Sequence, residues 1–246
     1  MFELGAAAAS APWLRLIGRG DEHPVLILPG FMAGDPSTAP LRSILRSQGY
    51  WVHGWGLGRN FGPHDHIIDG MVERLHQLHD RHDAPVSLIG WSLGGIYARR
   101  LARKFPDMVR QVITLGSPFR TTAIDRSAVQ HLFERLNPNH LEKIDSSLPG
   151  IDAGALDVPA TSIYTRTDGV VRWWLCLESI GDQRENIEVY GRHAGLGFNP
   201  AVMIAISDRL AQRPGEWTPF RAPLAARHLF PRPADWAPDD ARLAAS

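Results

Sequence analysis

The chain has 246 residues, 44% of them hydrophobic, enough for one domain with a sizeable core and no need of covalent staples. Its 26 Lys+Arg balance 26 Asp+Glu, so nothing in the total charge suggests a nucleic-acid partner or a polyanionic substrate. With Cys176 as the one cysteine, neither an intrachain disulfide nor a cysteine-based zinc site can form. Residues 1–12 lack the basic start of a signal peptide, with Glu3 where positive charge belongs. No apolar run reaches membrane-spanning length, so a cytoplasmic protein is expected.

Residues 1–22 hold one apolar stretch, Trp13-Leu14-Arg15-Leu16-Ile17, readable as a short strand or as part of a helix. Residues 23–28 (His-Pro-Val-Leu-Ile-Leu) form the first clear strand signal, and the loop Pro29-Gly30-Phe31-Met32-Ala33-Gly34 follows. Asp35-Pro36 reads as an N-cap with proline at the first helical position, opening a helix that carries Leu41, Ile44 and Leu45. Residues 50–55 are the next strand. The glycine-rich loop 56–63 after it makes Trp55, Asn60 and Phe61 either pocket residues or part of a plain surface turn. Ile68, Met71, Val72, Leu75 and Leu78 repeat at helical spacing across 65–81. The histidines scattered around that helix lack the spacing and carboxylate of a metal motif, and a solvated face is the better reading.

The centre of the chain is Pro85-Val86-Ser87-Leu88-Ile89 running into Gly90-Trp91-Ser92-Leu93-Gly94-Gly95 and then into the helix formers of 96–104. A β-branched apolar run, a G-x-S-x-G turn and a helix with cations in its last turn follow without a gap. A serine on so tight a strand-to-helix turn takes a strained backbone that pushes its hydroxyl out of the sheet. Side chains at Gly90 and Gly94 would clash with the neighbouring strand and helix. Further strands are expected at 109–115, 158–165 and 186–190, and a last helix is capped by Asn199-Pro200. Beyond Arg213 recurring prolines argue against regular structure, while Trp217, Phe220, Phe230 and Trp236 argue for a tail pinned to the body or to a second subunit.

The stretch around Ser92 resembles the nucleophile elbow of the α/β-hydrolase superfamily, in its lipase and esterase branch, and the resemblance extends over about residues 23–212. It implies a mostly parallel sheet with helices on both faces, here trimmed to about six or seven strands, in a single domain. It also implies a serine, an acid and a histidine in that chain order. Asp168, in the turn after the strand at 158–165, and His193, in the loop after the strand at 186–190, fall where the family carries its acid and base. Asp152, Asp157, Glu178 and Asp182 are the rival acids and His228 the one later histidine; all are worse placed. The oxyanion-hole donors would be the backbone N–H groups of Leu93 and of Phe31, with Met32 as the alternative to Phe31.

The family also places an insertion at residues 119–155, where Val129, Leu132, Phe133 and Leu136 mark a short amphipathic helix; it forms a small lid or simply packs on the sheet. The chemistry so implied is hydrolysis of a small-molecule or lipid ester through an acyl-enzyme, with no metal or cofactor. An acyltransferase, thioesterase or amidase with the same residues stands beside it, and so does a non-catalytic binding protein.

Overall fold

The computed structural model describes residues 20–120, 154–179 and 181–231. The expected lid lies almost wholly outside these residues, as do the tail beyond residue 231 and the apolar stretch at 13–17. Six strands, β1 (Pro24–Leu28), β2 (Trp51–Gly54), β3 (Val86–Trp91), β4 (Val109–Leu115), β5 (Ala160–Tyr164) and β6 (Arg184–Glu188), form one sheet in the order β2-β1-β3-β4-β5-β6. Every neighbouring pair is parallel. The order reverses between β1 and β3, and a sheet of this kind gathers its ligands beyond the carboxyl ends of the strands.

Among the described residues four α-helices cover the sheet: α1 (Asp35–Ser47), α2 (Asp65–His82), α3 (Leu93–Lys104) and α4 (Pro200–Leu210). Because successive side chains alternate across a strand, β1 sends Val25 and Ile27 to one face and Leu26 and Leu28 to the other. The first face packs under α1 (Leu41, Leu45) and α4, which is buried along almost its whole length. The second packs under α2 (Ile67, Met71, Leu75, Leu78) and α3 (Tyr97, Ala98, Leu101). Strands clothed on both sides read as continuous apolar runs, which is why they stand out in the sequence.

The last helix starts as expected: Asn199 accepts a hydrogen bond from the Ala201 N–H at 2.9 Å. The start of α1 differs from expectation. Gly34 occupies the cap position and Asp35 is already helical. The Asp35 carboxylate reaches outward instead, accepting from the Trp55 N–H (3.0 Å) and the Gly56 N–H (3.1 Å), and so ties the loop after β2 to the start of α1. The described part of the tail, 213–231, holds one short 3-10 turn, Leu224–Leu229, and its Phe220 and Phe230 pack on the core.

Candidate active site

Three loops converge beyond the carboxyl ends of β3, β5 and β6. Ser92 stands between the last residue of β3 and the first of α3, with φ 53° and ψ −120°. Its N–H donates to the Leu115 carbonyl at 2.8 Å, anchoring the turn to β4. The turn is only possible because it is built of glycine. A Cβ on Gly90 would overlap the Gly94–Gly95 backbone, and one on Gly94 would overlap the Leu28 carbonyl. The result is a hydroxyl held at a helix N-terminus, half-buried, on a backbone few non-glycine residues adopt.

Asp168 follows β5. It is buried, and its Oδ1 accepts from the N–H groups of Val170 (3.0 Å) and Val171 (2.6 Å), leaving Oδ2 directed at His193. His193 opens the short 3-10 helix His193–Phe198 after β6. Its Nδ1 lies 2.8 Å from Asp168 Oδ2 and its Nε2 lies 2.9 Å from Ser92 Oγ. The carboxylate can only accept, so Nδ1 carries the proton and Nε2 is the acceptor facing the Ser92 hydroxyl.

The loops are tied to one another as well as to the sheet. The His193 N–H donates to the Asp168 carbonyl at 3.0 Å, and the Thr167 hydroxyl donates to the Gly191 carbonyl at 2.7 Å. Trp91, the residue before Ser92, donates its indole N–H to the His193 carbonyl at 3.2 Å. Gly116 (φ 54°) passes beneath, and a Cβ there would sit 3.2 Å from both Asp168 Oδ2 and His193 Nδ1.

Opposite Ser92, the loop after β1 comes against the elbow at Gly30, where a Cβ would be 3.3 Å from Ser92 Cβ. Asn60 holds this loop. Its carbonyl accepts the Met32 N–H at 2.7 Å, its N–H donates to the Ala33 carbonyl at 2.8 Å, and its side-chain amide donates to the Pro29 carbonyl at 2.9 Å. Asn60 is thus a buried tie between two loops and Trp55 a core residue, so neither lines a pocket; Phe61 stands exposed at the rim. Of the rival acids, Glu178 is buried in an ion pair with Arg99 of α3. Asp182 is exposed in the turn ahead of β6, at the opposite edge, and His228 is exposed in the tail.

A family model for the PGAP1-like alpha/beta domain matches residues 58–174. The chain is 25% identical over 173 residues to pimeloyl-[acyl-carrier protein] methyl ester esterase of Shewanella woodyi, across 70% of this chain and 58% of that protein. It is 30% identical over 124 residues to the serine hydrolase BPHL of Mus musculus, across 46% and 42%. The chain therefore spans 58% and 42% of the lengths of these two relatives. The crystal structure of Aspergillus fumigatus lipase B superposes with a TM-score of 0.60 at 16% identity, covering 81% of this chain and 55% of that one.

In fold, the chain is an α/β-hydrolase. Among the described residues this hydrolase fold has six parallel strands and no helix long and apolar enough to cross a membrane.

Arg99 had no signal in the sequence beyond helix propensity. Besides Glu178, its guanidinium contacts the Phe119 ring, 4.0 Å to the centroid, and donates to the Gly154 carbonyl at 2.7 Å. One side chain of the elbow helix thereby meets the described residues on both sides of the 121–153 segment and the loop that follows Asp168.

The amino end of the same sheet carries a second series of the same residue types. His23 bonds through Nδ1 to Asp21 and through Nε2 to Ser87 Oγ at 2.8 Å, and Arg110 pairs with the other Asp21 oxygen at 2.8 Å. Burial pushes the His23 imidazole below its ordinary pKa, against the upward pull of the Asp21 hydrogen bond, and Arg110 lowers it further. Burial works to raise the Asp21 carboxyl, but His23 and Arg110 together hold it well below the usual carboxylate range.

Proposed function

We propose that the protein is a serine hydrolase acting on carboxylic esters. In this reading Ser92 is the nucleophile, His193 the general base and Asp168 the group that orients and supports it. The observation that carries the reading is the unbroken series Asp168–His193–Ser92, with contacts of 2.8 and 2.9 Å, ending at a hydroxyl on a strained turn at the start of a helix. As Ser92 Oγ attacks the ester carbonyl, its proton passes to His193 Nε2. The imidazolium is stabilised by Asp168, then delivers the proton to the leaving alcohol. Water, deprotonated by the same nitrogen, releases the acid from the acyl-enzyme.

The developing oxyanion would meet the Leu93 N–H, which as the first helical donor has no acceptor within α3. The second donor would come from the loop after β1. Phe31, the residue after Gly30, is the candidate that the family resemblance gives; the Met32 N–H donates to the Asn60 carbonyl. Each such donor typically contributes about 3 kcal/mol to the transition state. The esterase and hydrolase names of the two relatives agree with this ester-hydrolase class.

The test is covalent labelling. A fluorophosphonate probe should attach to Ser92 in the parent, and Ser92→Ala should lose both the label and p-nitrophenyl ester turnover. Retained turnover in that variant defeats the reading. Product analysis with a competing alcohol separates hydrolysis from acyl transfer.

A further inference from the structure

Asn60 is wholly buried in the loop after β2, and that loop is itself fixed. The Asp35 carboxylate accepts from the Trp55 and Gly56 N–H groups, and the Trp55 indole N–H donates to the Gly58 carbonyl at 2.9 Å. From this base Asn60 grips the loop after β1 on both sides of Phe31. Its side-chain amide donates to the Pro29 carbonyl at 2.9 Å, its backbone carbonyl accepts the Met32 N–H at 2.7 Å, and its own N–H donates to the Ala33 carbonyl at 2.8 Å. Met32 takes φ 58°, a left-handed conformation that a non-glycine residue keeps only where its surroundings hold it.

The oxygen of the same amide reaches α3. Asn60 Oδ1 accepts from the Tyr97 hydroxyl at 3.3 Å and from the Gly62 N–H at 3.2 Å. The amide can point only this way, because the Pro29 carbonyl only accepts and the Gly62 N–H only donates. Burial pushes the Tyr97 phenol well above its ordinary pKa, so the hydroxyl keeps its proton and stays a donor. Tyr97 lies about one helical turn beyond Leu93, the first residue of α3. One side chain thus spans from the loop of Phe31 to the helix that Leu93 begins. The space between them is tight: a Cβ on Gly30 would stand 3.3 Å from both the Ser92 Cβ and the Trp91 carbonyl oxygen.

We propose that Asn60 is a positioning residue for the oxyanion hole, fixing the loop after β1 at a set distance from the start of α3. This role presupposes the serine-hydrolase reading above. The two backbone bonds to Met32 and Ala33 join the loops without help from the side chain. What the side chain adds is the pair of contacts to Pro29 and Tyr97, which bridges the two elements that would supply the oxyanion donors. Such donors act fully only at hydrogen-bond distance from the oxyanion, and a displacement of about 1 Å can cost about a hundredfold in rate. The Asp168–His193–Ser92 series uses neither loop, and a neutral ester carbonyl draws less on these donors than an oxyanion does. Loss of the side chain should therefore fall on kcat and leave KM close to its parent value.

The experiment compares Asn60→Ala, Tyr97→Phe and the double variant with the parent on a soluble p-nitrophenyl ester, with active sites counted by exhaustive fluorophosphonate labelling. Phenylboronic acid is the second probe. Ser92 Oγ bonds to the boron as its proton passes to His193, and a boron hydroxyl takes the place of the oxyanion. Asn60→Ala should lower kcat per labelled site by about tenfold or more with KM within about twofold, and should weaken phenylboronic acid by a similar factor. Tyr97→Phe should shift the same quantities in the same direction by less. The double variant should be no slower than Asn60→Ala, since the hydroxyl acts only through the amide.

A parent-like kcat per labelled site in Asn60→Ala overturns the proposal. So does a rise in KM at unchanged kcat, and so does a boronate affinity that holds while kcat falls. Should Asn60→Ala fail to fold, Tyr97→Phe decides: slower turnover at unchanged KM and melting temperature supports the role, and parent-like turnover overturns it. A parent that neither takes the label nor turns over an ester fails at the hydrolase reading, and the role of Asn60 falls with it.

Discussion

At the carboxyl end of the sheet, Asp168, His193 and Ser92 follow one another through hydrogen bonds of 2.8 and 2.9 Å. At the amino end, Asp21, His23 and Ser87 do the same, with 2.8 Å between the ring nitrogen and the hydroxyl. The residue types, the order of contact and the ring nitrogens used are alike. What surrounds the hydroxyls is not. Ser92 sits at φ 53° where a strand breaks into a helix, half-exposed, with helix N–H groups beside it. Ser87 lies inside β3, paired in register with Val25 on one side and Gln111 on the other, and is wholly buried. No acyl group can approach it, and a strand interior has no unpaired N–H groups to receive an oxyanion. Asp21 also divides its charge between His23 and Arg110. Three residues in hydrogen-bonded series are thus a packing motif at one end and a candidate reaction centre at the other. The backbone decides which.

The largest expected contrast is in turnover. Ser92→Ala should lower ester hydrolysis by about four orders of magnitude or more, whereas Ser87→Ala should leave kcat/KM unchanged. Steady-state kinetics on a soluble p-nitrophenyl ester checks both, and a rate loss in Ser87→Ala would erase the distinction. A similar contrast is expected between the two acids. Asp168→Asn should reduce kcat by roughly 10³ to 10⁴ through loss of the correct His193 tautomer, and Asp21→Asn should leave it in place.

In stability the order is reversed. Ser87→Ala leaves a buried ring nitrogen of His23 without its partner and should cost about 1–3 kcal/mol in urea denaturation, while Ser92→Ala, at a half-exposed site, should cost little.

The smallest effect concerns pH. His23 is held neutral in the fold, so on acidification the unfolded chain takes up this proton first. The contribution of His23 to stability is complete above its ordinary pKa of about 6.5 and is lost as the pH falls below that toward the depressed folded value. Asp21 acts in the same direction at lower pH, since a carboxyl depressed in the fold stabilises it above its ordinary value and stops doing so as it protonates. His23→Gln should therefore show a flatter loss of stability than the parent between neutrality and pH 5. Parallel curves for the two proteins would remove His23 as the acid-sensitive group.

The strands and three of the four helix starts were legible because this architecture writes them locally. Buried parallel strands are short β-branched runs, and Gly90, Gly94 and Asn199-Pro200 punctuate the chain where the backbone must turn. Ser92, Asp168 and His193 were legible for a related reason: each follows a strand, and parallel strands deliver their following loops to one edge. What escaped was everything set by partners distant in the chain. Asn60 bonds to a loop about thirty residues earlier, Arg99 to Glu178, and His23 to Ser87, and no spacing rule connects such pairs. Asp35 was misread as a cap because an acid before proline has that local form; its carboxylate instead serves the turn at Trp55 and Gly56.

The hydrogen bond from the Trp91 indole to the His193 carbonyl spans 102 positions of sequence and joins the residue before the elbow serine to the loop that bears the imidazole. Displacing that loop means unseating a core tryptophan, so the site waits preassembled and gains little from ligand-driven ordering. The same bond makes this indole a built-in optical gauge. A shift in tryptophan emission when the loop is perturbed, present in the parent and lost in Trp91→Phe, reads the rigidity of the centre.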